Sequence, residues 1–150
     1  MSFEIGSIIL VRNYPLPTKI SDKFFIVIGI KDDSFTLLSM TTSQIYFDIT
    51  LLKEGIITEN DVSIYCFLKG QIIGKEGFCF RKNTFISHRN NISQFHTEKL
   101  KSFDVELMDV LIKSQIVSLL YSFYIYKGTK NKNKLILENL LYELTKDSEV

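Results

Sequence analysis

The sequence predicts a mainly β protein with a C-terminal α-helical part, arranged as a small barrel followed by two helices. Phe and Tyr are concentrated in the first hundred residues, where short apolar runs alternate with turn residues. Near residue 97 the apolar spacing changes from strand-like to helix-like. A chain of 150 residues fits one body, so we expect a barrel over residues 1–101 and a helical extension over residues 102–150, packed together.

The first barrel strands are predicted from apolar and β-branched runs. Residues 5–12 favour a strand, and residues 13–22, which contain both prolines, favour a loop. Residues 24–30 are apolar without a break, which is typical of a strand buried on both faces. After a polar turn at residues 31–34, residues 35–40 favour the returning strand.

The later part of the barrel is expected to consist of short strands. Residues 45–60 are ambiguous, and residues 62–68 favour a strand. Gly70, Gly74 and Gly77 suit tight turns in a bent hairpin. Three further short strands are predicted at residues 78–80, 84–87 and 91–95.

A long helix is predicted over residues 105–126. It follows four residues that are typical of helix starts, Thr97, Glu98, Ser102 and Asp104. The second half of this helix is apolar on almost every side, so it must be covered by the barrel, by the last helix or by a second subunit.

The last helix is predicted over residues 134–146, after Gly128 and a basic polar connector. Its apolar stripe consists of Leu137, Leu140, Leu141 and Leu144. The stripe has two interpretations, core packing and an exposed partner site.

Composition places the chain among globular proteins, because 45% of its residues are hydrophobic and 23% are charged. The first residues do not form a basic segment followed by an apolar core, and the longest low-charge run, residues 114–126, falls short of the roughly 20 residues that span a membrane. We therefore expect a cytoplasmic protein with no membrane partner. Cys66 and Cys79 have no metal-ligand spacing and are interpreted as buried thiols, with a disulfide as the alternative.

Positive charge is concentrated in one part of the chain. Residues 69–101 contain seven Lys or Arg but only Glu76 and Glu98 as acidic residues, in a chain whose net charge is +1. Such segregation permits a nucleic-acid partner, although a scattered solvated surface is the alternative. His88 and His96 are isolated, so we expect neither a metal site nor a cofactor.

The predicted strand at residues 35–40 is followed by four hydroxyl or amide side chains, Thr41, Thr42, Ser43 and Gln44. Two interpretations are open. The run is a solvated strand end, or it forms a pocket for an anion or a phosphodiester.

The order of these segments resembles the MazF/PemK-like family, small SH3-like barrels that include the toxin ribonucleases of toxin–antitoxin pairs. The resemblance covers about residues 3–101 and depends on four segments in order: "IGSIILVRNYPLP", "DKFFIVIG", "TLLSMTTSQ" and "FRKNTFISHRNNISQFHTEKL". It implies an SH3-like barrel, a single-stranded RNA substrate, an antitoxin protein partner and a homodimer.

In the family, an arginine that opens the second strand and a threonine or serine that ends the third contact the scissile phosphate. The resemblance places Lys23 in the first position and Thr41 or Thr42 in the second. Lysine cannot form the two parallel hydrogen bonds of a guanidinium group. The sequence also departs from the family at Phe24, where a proline is usual, and in the length of its C-terminal helices.

The implied reaction is metal-independent attack of a ribose 2′-hydroxyl on the adjacent phosphorus, with Lys23 as the cation and the two threonines as hydroxyl donors. His88 beside Arg89 is either an acid or phosphate contact or an ordinary surface residue. The alternative function is an inactive barrel that binds RNA or protein. The candidate RNA-binding residues are Arg12, Ser43, Gln44, Arg81, Lys82, His88 and Arg89.

Overall fold

The computed structural model describes residues 3–32, 34–44, 52–59 and 61–146. The described strands are β1 (Ser7–Pro15), β2 (Ile20–Lys31), β3 (Phe35–Met40), β4 (Gly55–Glu59), β5 (Val62–Phe67), β6 (Thr84–Ser87), β7 (Ser93–His96) and β8 (Asp104–Val110). The described helices are α1 (Thr97–Lys101), α2 (Lys113–Ile125) and α3 (Asn131–Thr145). The chain is therefore mainly β with C-terminal helices, as predicted.

The strands form two antiparallel sheets. The larger has the order β7-β3-β2-β1-β8, and the smaller has the order β4-β5-β6. Thr42, just after β3, links the sheets by exchanging two backbone hydrogen bonds with Phe85 of β6, at 2.9 and 2.7 Å. Among the described residues neither sheet closes on itself, so the predicted SH3-like barrel is not confirmed.

The first hairpin contradicts the loop predicted over residues 13–22. β1 continues to Pro15, β2 begins at Ile20, and the Leu16 N–H donates to the Lys19 carbonyl oxygen at 2.7 Å. Proline is tolerated at a strand end, where no ladder hydrogen bond needs its missing N–H. The ladder therefore extends into most of the segment that the prolines marked as a loop.

β2 is buried on both faces, as predicted. Phe25 and Val27 pack in one apolar cluster, which also contains Leu100 of α1. Ile26 and Ile28 pack on the opposite face in the main core. The larger sheet is therefore a central layer with apolar packing on both sides.

The main core lies between the larger sheet, the smaller sheet and the two C-terminal helices. Its fully buried side chains include Ile8, Ile26, Tyr65, Phe67, Ile86, Leu120, Phe123 and Leu137. Burial of this apolar surface provides the main driving force for assembling the described elements.

The helix predicted over residues 105–126 is wrong in its first part. Asp104–Val110 forms β8, in which Leu107 lies opposite Ile9 of β1. Pairing along a sheet edge outweighs the weak helix preference of this segment. α2 begins only at Lys113.

Thr97 and Glu98, two of the residues typical of helix starts, begin α1, a helix of only five residues that was not predicted. The His96 ring caps it, because Nδ1 accepts a hydrogen bond from the Glu98 N–H at 3.2 Å. The chain then turns into β8 instead of continuing as a helix.

The last helix, predicted over residues 134–146, is α3 and begins three residues earlier. Leu137 is 1% exposed, and the other three leucines of the stripe pack against the main core. The stripe therefore serves core packing, the first of its two interpretations.

The strand predicted at residues 78–80 is wrong, because this segment belongs to the loop between β5 and β6. Gly70 and Gly77 turn this loop at φ values of +79° and +92°, which favour glycine. In the ambiguous segment 45–60, Gly55–Glu59 forms β4, whereas residues 45–51 and 60 lie outside the described residues.

Candidate nucleic-acid interface

A groove of about 640 Å³ lies where the start of β2, the end of β3 and the β5–β6 loop meet. We call it the Lys23 groove. It brings together six predicted site residues from three separate parts of the chain: Lys23, Thr41, Thr42, Ser43, Arg81 and Lys82. Its walls combine cations, hydroxyl groups and aromatic rings, a combination that suits a phosphorylated, base-bearing ligand.

Lys23 lies in the ladder of β2 opposite Val11 of β1 and is half-buried. Burial lowers the pKa of Lys23 from its ordinary value, and the charge of Lys19 lowers it further. In the part of the chain that the structure describes, no carboxylate forms an ion pair with Lys23. An anion in the groove would therefore meet an ammonium group that no carboxylate of the described residues neutralises.

Asp22 is the carboxylate that lines the groove beside Lys23. Its Oδ1 accepts a hydrogen bond from the backbone N–H of Asn13 at 2.9 Å. Asn13 has a φ of 55°, in the left-handed region that asparagine tolerates, at the irregularity where β1 and β2 shift register. The bulge in the hairpin therefore holds the Asp22 side chain.

Thr41 faces the protein interior more than its predicted role requires. Its hydroxyl group donates to the Phe24 carbonyl oxygen at 3.0 Å, and its backbone N–H donates to the same oxygen at 3.0 Å. The residue is 4% exposed. The Thr41 hydroxyl thus stabilises the end of β3 against β2, and its proton is already engaged.

Thr42 is the more accessible of the two threonines. Its hydroxyl accepts a hydrogen bond from the Gln44 N–H at 3.2 Å and donates a longer one, 3.4 Å, to the Gln44 carbonyl oxygen. Thr42 and the exposed Ser43 line the groove, whereas Gln44 does not. The hydroxyl run after β3 is therefore partly a structural strand end and partly a groove wall.

Arg81 and Lys82, at the end of the β5–β6 loop, also line the groove. Both are exposed, and among the described residues neither forms an ion pair. The Lys82 backbone is held by the Thr84 hydroxyl group, which donates to its carbonyl oxygen at 2.9 Å. The groove therefore draws cations from both β2 and the β5–β6 loop, and none of them forms an ion pair within the part of the chain that the structure describes.

The sequence analysis missed the aromatic part of the groove. Phe24, Phe78 and Phe80 line it, with ring centroids 5.1 to 5.9 Å apart in edge-to-face contacts. Phe80 is buried, whereas Phe24 and Phe78 are partly exposed. Two phenylalanines next to Arg81 in the segment "FCFRK" are the signal that could have revealed this wall.

Arg12 lies outside the Lys23 groove and is paired with acidic residues of β8. Its guanidinium hydrogen-bonds the carboxylate of Glu106 and lies 3.7 Å from that of Asp104. The hydrogen bond to Glu106 is the largest cause that raises the pKa of Arg12. The structure therefore assigns Arg12 to the β1–β8 edge and not to the groove.

His88 is buried, which contradicts both interpretations that placed it on the surface. It is 2% exposed, and its Nδ1 and Nε2 each lie 2.8 Å from a serine hydroxyl, of Ser63 and Ser122 respectively. Burial lowers the pKa of His88 to about 4. The neighbouring Arg89 is exposed but does not line the Lys23 groove.

The two cysteines differ in environment, and both are free thiols. Cys66 is buried in the smaller sheet, and burial raises the pKa of its thiol to about 11. Cys79 is exposed in the Lys23 groove, so the prediction of two buried thiols holds for Cys66 and is wrong for Cys79.

The described residues contain no group of three or more His, Cys, Asp or Glu side chains that could hold a metal ion. None of the described helices is both long enough and apolar enough to span a membrane. Comparison of the chain with protein-family models, curated proteins and solved structures gave no match.

Proposed function

We propose that the Lys23 groove binds single-stranded RNA and that the protein is a cytoplasmic, MazF/PemK-like toxin-type endoribonuclease. The observation that carries this proposal is the convergence of Lys23, Arg81 and Lys82 on one groove, without acidic ion-pair partners among the described residues. Thr42 and Ser43 add hydroxyl groups to the same groove. Cations and hydroxyls arranged in this way suit the oxygens of a phosphodiester backbone.

The aromatic wall favours a single strand over a duplex. The bases of a single strand are free to stack on side chains, and such stacking contributes about 1–3 kcal/mol per base. Phe78 is partly exposed in the groove and offers an edge or a face to an unpaired base. In an RNA duplex the bases are paired and stacked, so this wall would have little to bind.

The proposed reaction is attack of a 2′-hydroxyl on the adjacent phosphorus, giving a cyclic phosphate. Lys23 would stabilise the negative charge that develops on the phosphate. Such electrostatic stabilisation is usually a large part of the lowering of the activation free energy. Thr42 is better suited than Thr41 to donate a hydroxyl hydrogen bond, because its proton makes only a long bond, 3.4 Å, to the Gln44 carbonyl oxygen, whereas the Thr41 proton is directed at the Phe24 carbonyl oxygen at 3.0 Å. Asp22 is the lining carboxylate that could accept the 2′-hydroxyl proton.

Two observations favour a second candidate, an RNA-binding or protein-binding module that does not cleave. Thr41 is 4% exposed and its hydroxyl proton is donated to the Phe24 carbonyl oxygen, so one of the two expected donors is already engaged. Lys23 also supplies a point charge in place of the planar, two-point contact of an arginine. Either change weakens transition-state stabilisation more than it weakens RNA binding.

The finer assignments rest on the resemblance of residues 3–101 to the family. They are a distorted SH3-like barrel built from the two linked sheets, a homodimer, and an antitoxin protein that blocks the groove. The unpaired cations of the groove would suit an acidic antitoxin segment.

The test is incubation of the protein with a mixed-sequence single-stranded RNA in EDTA, with detection of products that end in a cyclic phosphate. We expect cleavage by wild type, loss of cleavage in Lys23→Ala, and no change in Lys31→Ala. Lys31 is a matched control because it is an exposed lysine of the same strand that does not line the groove. Bound but intact RNA would favour an RNA-binding module, and absence of RNA binding would refute both the ribonuclease and the RNA-binding module.

A further inference from the structure

A buried carboxylate contacts the loop that forms one wall of the Lys23 groove. Asp109, in β8, is 7% exposed, and among the described residues no Lys or Arg forms an ion pair with it. Its oxygens instead accept backbone N–H groups of Glu76 at 3.0 Å, Phe78 at 3.1 Å and Val110 at 2.7 Å. A buried carboxylate is stabilised when several backbone amides point at it.

The β5–β6 loop is shaped around this carboxylate. A Cβ atom added at Gly74 would lie 2.1 Å from Asp109 Oδ2 and 2.8 Å from the Cβ of Phe78, so no larger residue fits there without displacing them. The Lys75 N–H donates to the Val110 carbonyl oxygen at 2.8 Å. The loop is therefore attached to the end of β8 at several consecutive residues.

No described strand includes residues 68–83, so this part of the chain is fixed not by a strand ladder but by one isolated bridge, between Gly74 and Leu111, and by individual hydrogen bonds. The Phe78 amide that Asp109 binds belongs to the same short segment as the groove residues Phe78, Arg81 and Lys82. We propose that Asp109 is a positioning residue for RNA binding, because its carboxylate holds the loop so that this wall faces the RNA. The inference rests on the proposed function of the groove.

Asp109→Asn tests the inference. The substitution keeps the size of the side chain but turns an acceptor into an NH₂ group that would face N–H donors. With the loop released, we expect RNA affinity to fall about tenfold, as for lost charge-assisted hydrogen bonds. The logarithm of the RNA-binding constant falls linearly with the logarithm of the salt concentration, with a slope of about 0.7 per phosphate contact for a single strand. If the contacts of Arg81 and Lys82 are lost, this slope should decrease by about 1.4.

A second readout needs no RNA. Cys79 lies in the same loop and is exposed, so Asp109→Asn should increase its rate of reaction with a thiol reagent. Asp61→Asn is the matched control, because Asp61 is exposed in the β4–β5 turn with a φ of 66°, which asparagine tolerates. A purely structural role would lower the melting temperature but leave the salt dependence and the Cys79 rate unchanged, and that result would overturn the inference.

If Asp109→Asn does not fold, amide hydrogen exchange in the wild type tests whether Asp109 holds the loop. The Glu76 and Phe78 amides should be protected, because Asp109 binds both. Exchange at the rate of an open loop would overturn the inference. Failure of the wild type to bind RNA would refute the proposed function instead, whereas exchange and Cys79 reactivity would still report on the loop.

Discussion

Protonation of His88 should destabilise the protein as the pH falls from about 6.5 to about 4. Its ring is buried between Ser63 and Ser122 and lies 4.8 Å, centroid to centroid, from the ring of Phe123. Burial lowers its pKa from 6.5 to about 4, and a backbone hydrogen bond with Ser63 opposes the shift. As the pH falls, the unfolded chain therefore binds the proton before the folded chain does.

The size of the effect follows from the two pKa values. The stabilisation is fully present above the unfolded value of 6.5 and is lost progressively toward the folded value of about 4. Between pH 7 and pH 4.5, this one group should lower the free energy of unfolding by about 2 kcal/mol. The contribution of His88 should level off about one pH unit below its folded pKa of about 4.

The assay is urea unfolding from pH 7 to pH 4.5 for wild type, His88→Gln and His96→Asn. His88→Gln loses the ring contact with Phe123 and should be less stable at pH 7, but its stability should fall about 2 kcal/mol less on acidification. His96→Asn is the control, because asparagine keeps an acceptor for the Glu98 amide at the start of α1. Equal pH dependence in wild type and His88→Gln would refute the reasoning.

Three further outcomes are expected. Lys23→Arg should raise RNA cleavage by restoring two-point phosphate contact, and a loss of both cleavage and stability would mean that Lys23 is structural. Saturating RNA should slow the reaction of Cys79 with a thiol reagent, whereas Cys66 should not react in the folded protein because its pKa is about 11. Light scattering should give about twice the 17.4 kDa chain mass. Tyr121 and Ile125 are 50% and 49% exposed on α2, so replacing both with glutamate should lower the measured mass without unfolding the chain. A stable monomer of the wild type at tens of micromolar would refute the dimer.

The sequence predicts strands well where local signals and burial agree. Residues 35–40 and 84–87 are the strands β3 and β6, since their apolar runs are bounded by turn residues. β8 was missed because its structure depends on pairing with β1, almost a hundred residues earlier in the chain. Helix-start residues before it carry no information about that distant edge.

The same difference between local and distant information explains which residues of the site could be predicted from the sequence. Thr42 was predicted because the end of β3 is visible in the sequence, whereas Lys23, which lies inside β2, was named from the family resemblance. The burial of His88 depends on Ser63 and Ser122, which are 25 and 34 residues away, so its surface assignment could not be corrected locally. The joining of Phe24 to Phe78 in one wall likewise depends on tertiary packing.

The basic stretch of residues 69–101 shows why charge count differs from charge placement. Only Arg81 and Lys82 of its seven cations line the groove, and the third groove cation, Lys23, comes from outside the stretch. Each phosphate contact adds about 0.7 to the slope of the logarithm of the binding constant against the logarithm of the salt concentration, so three contacts imply a slope of about 2 for RNA binding. A slope near 4 or 5 would instead mean that the RNA also contacts basic residues outside the groove. The interface would then include more of the cations of residues 69–101 than the two that line the groove.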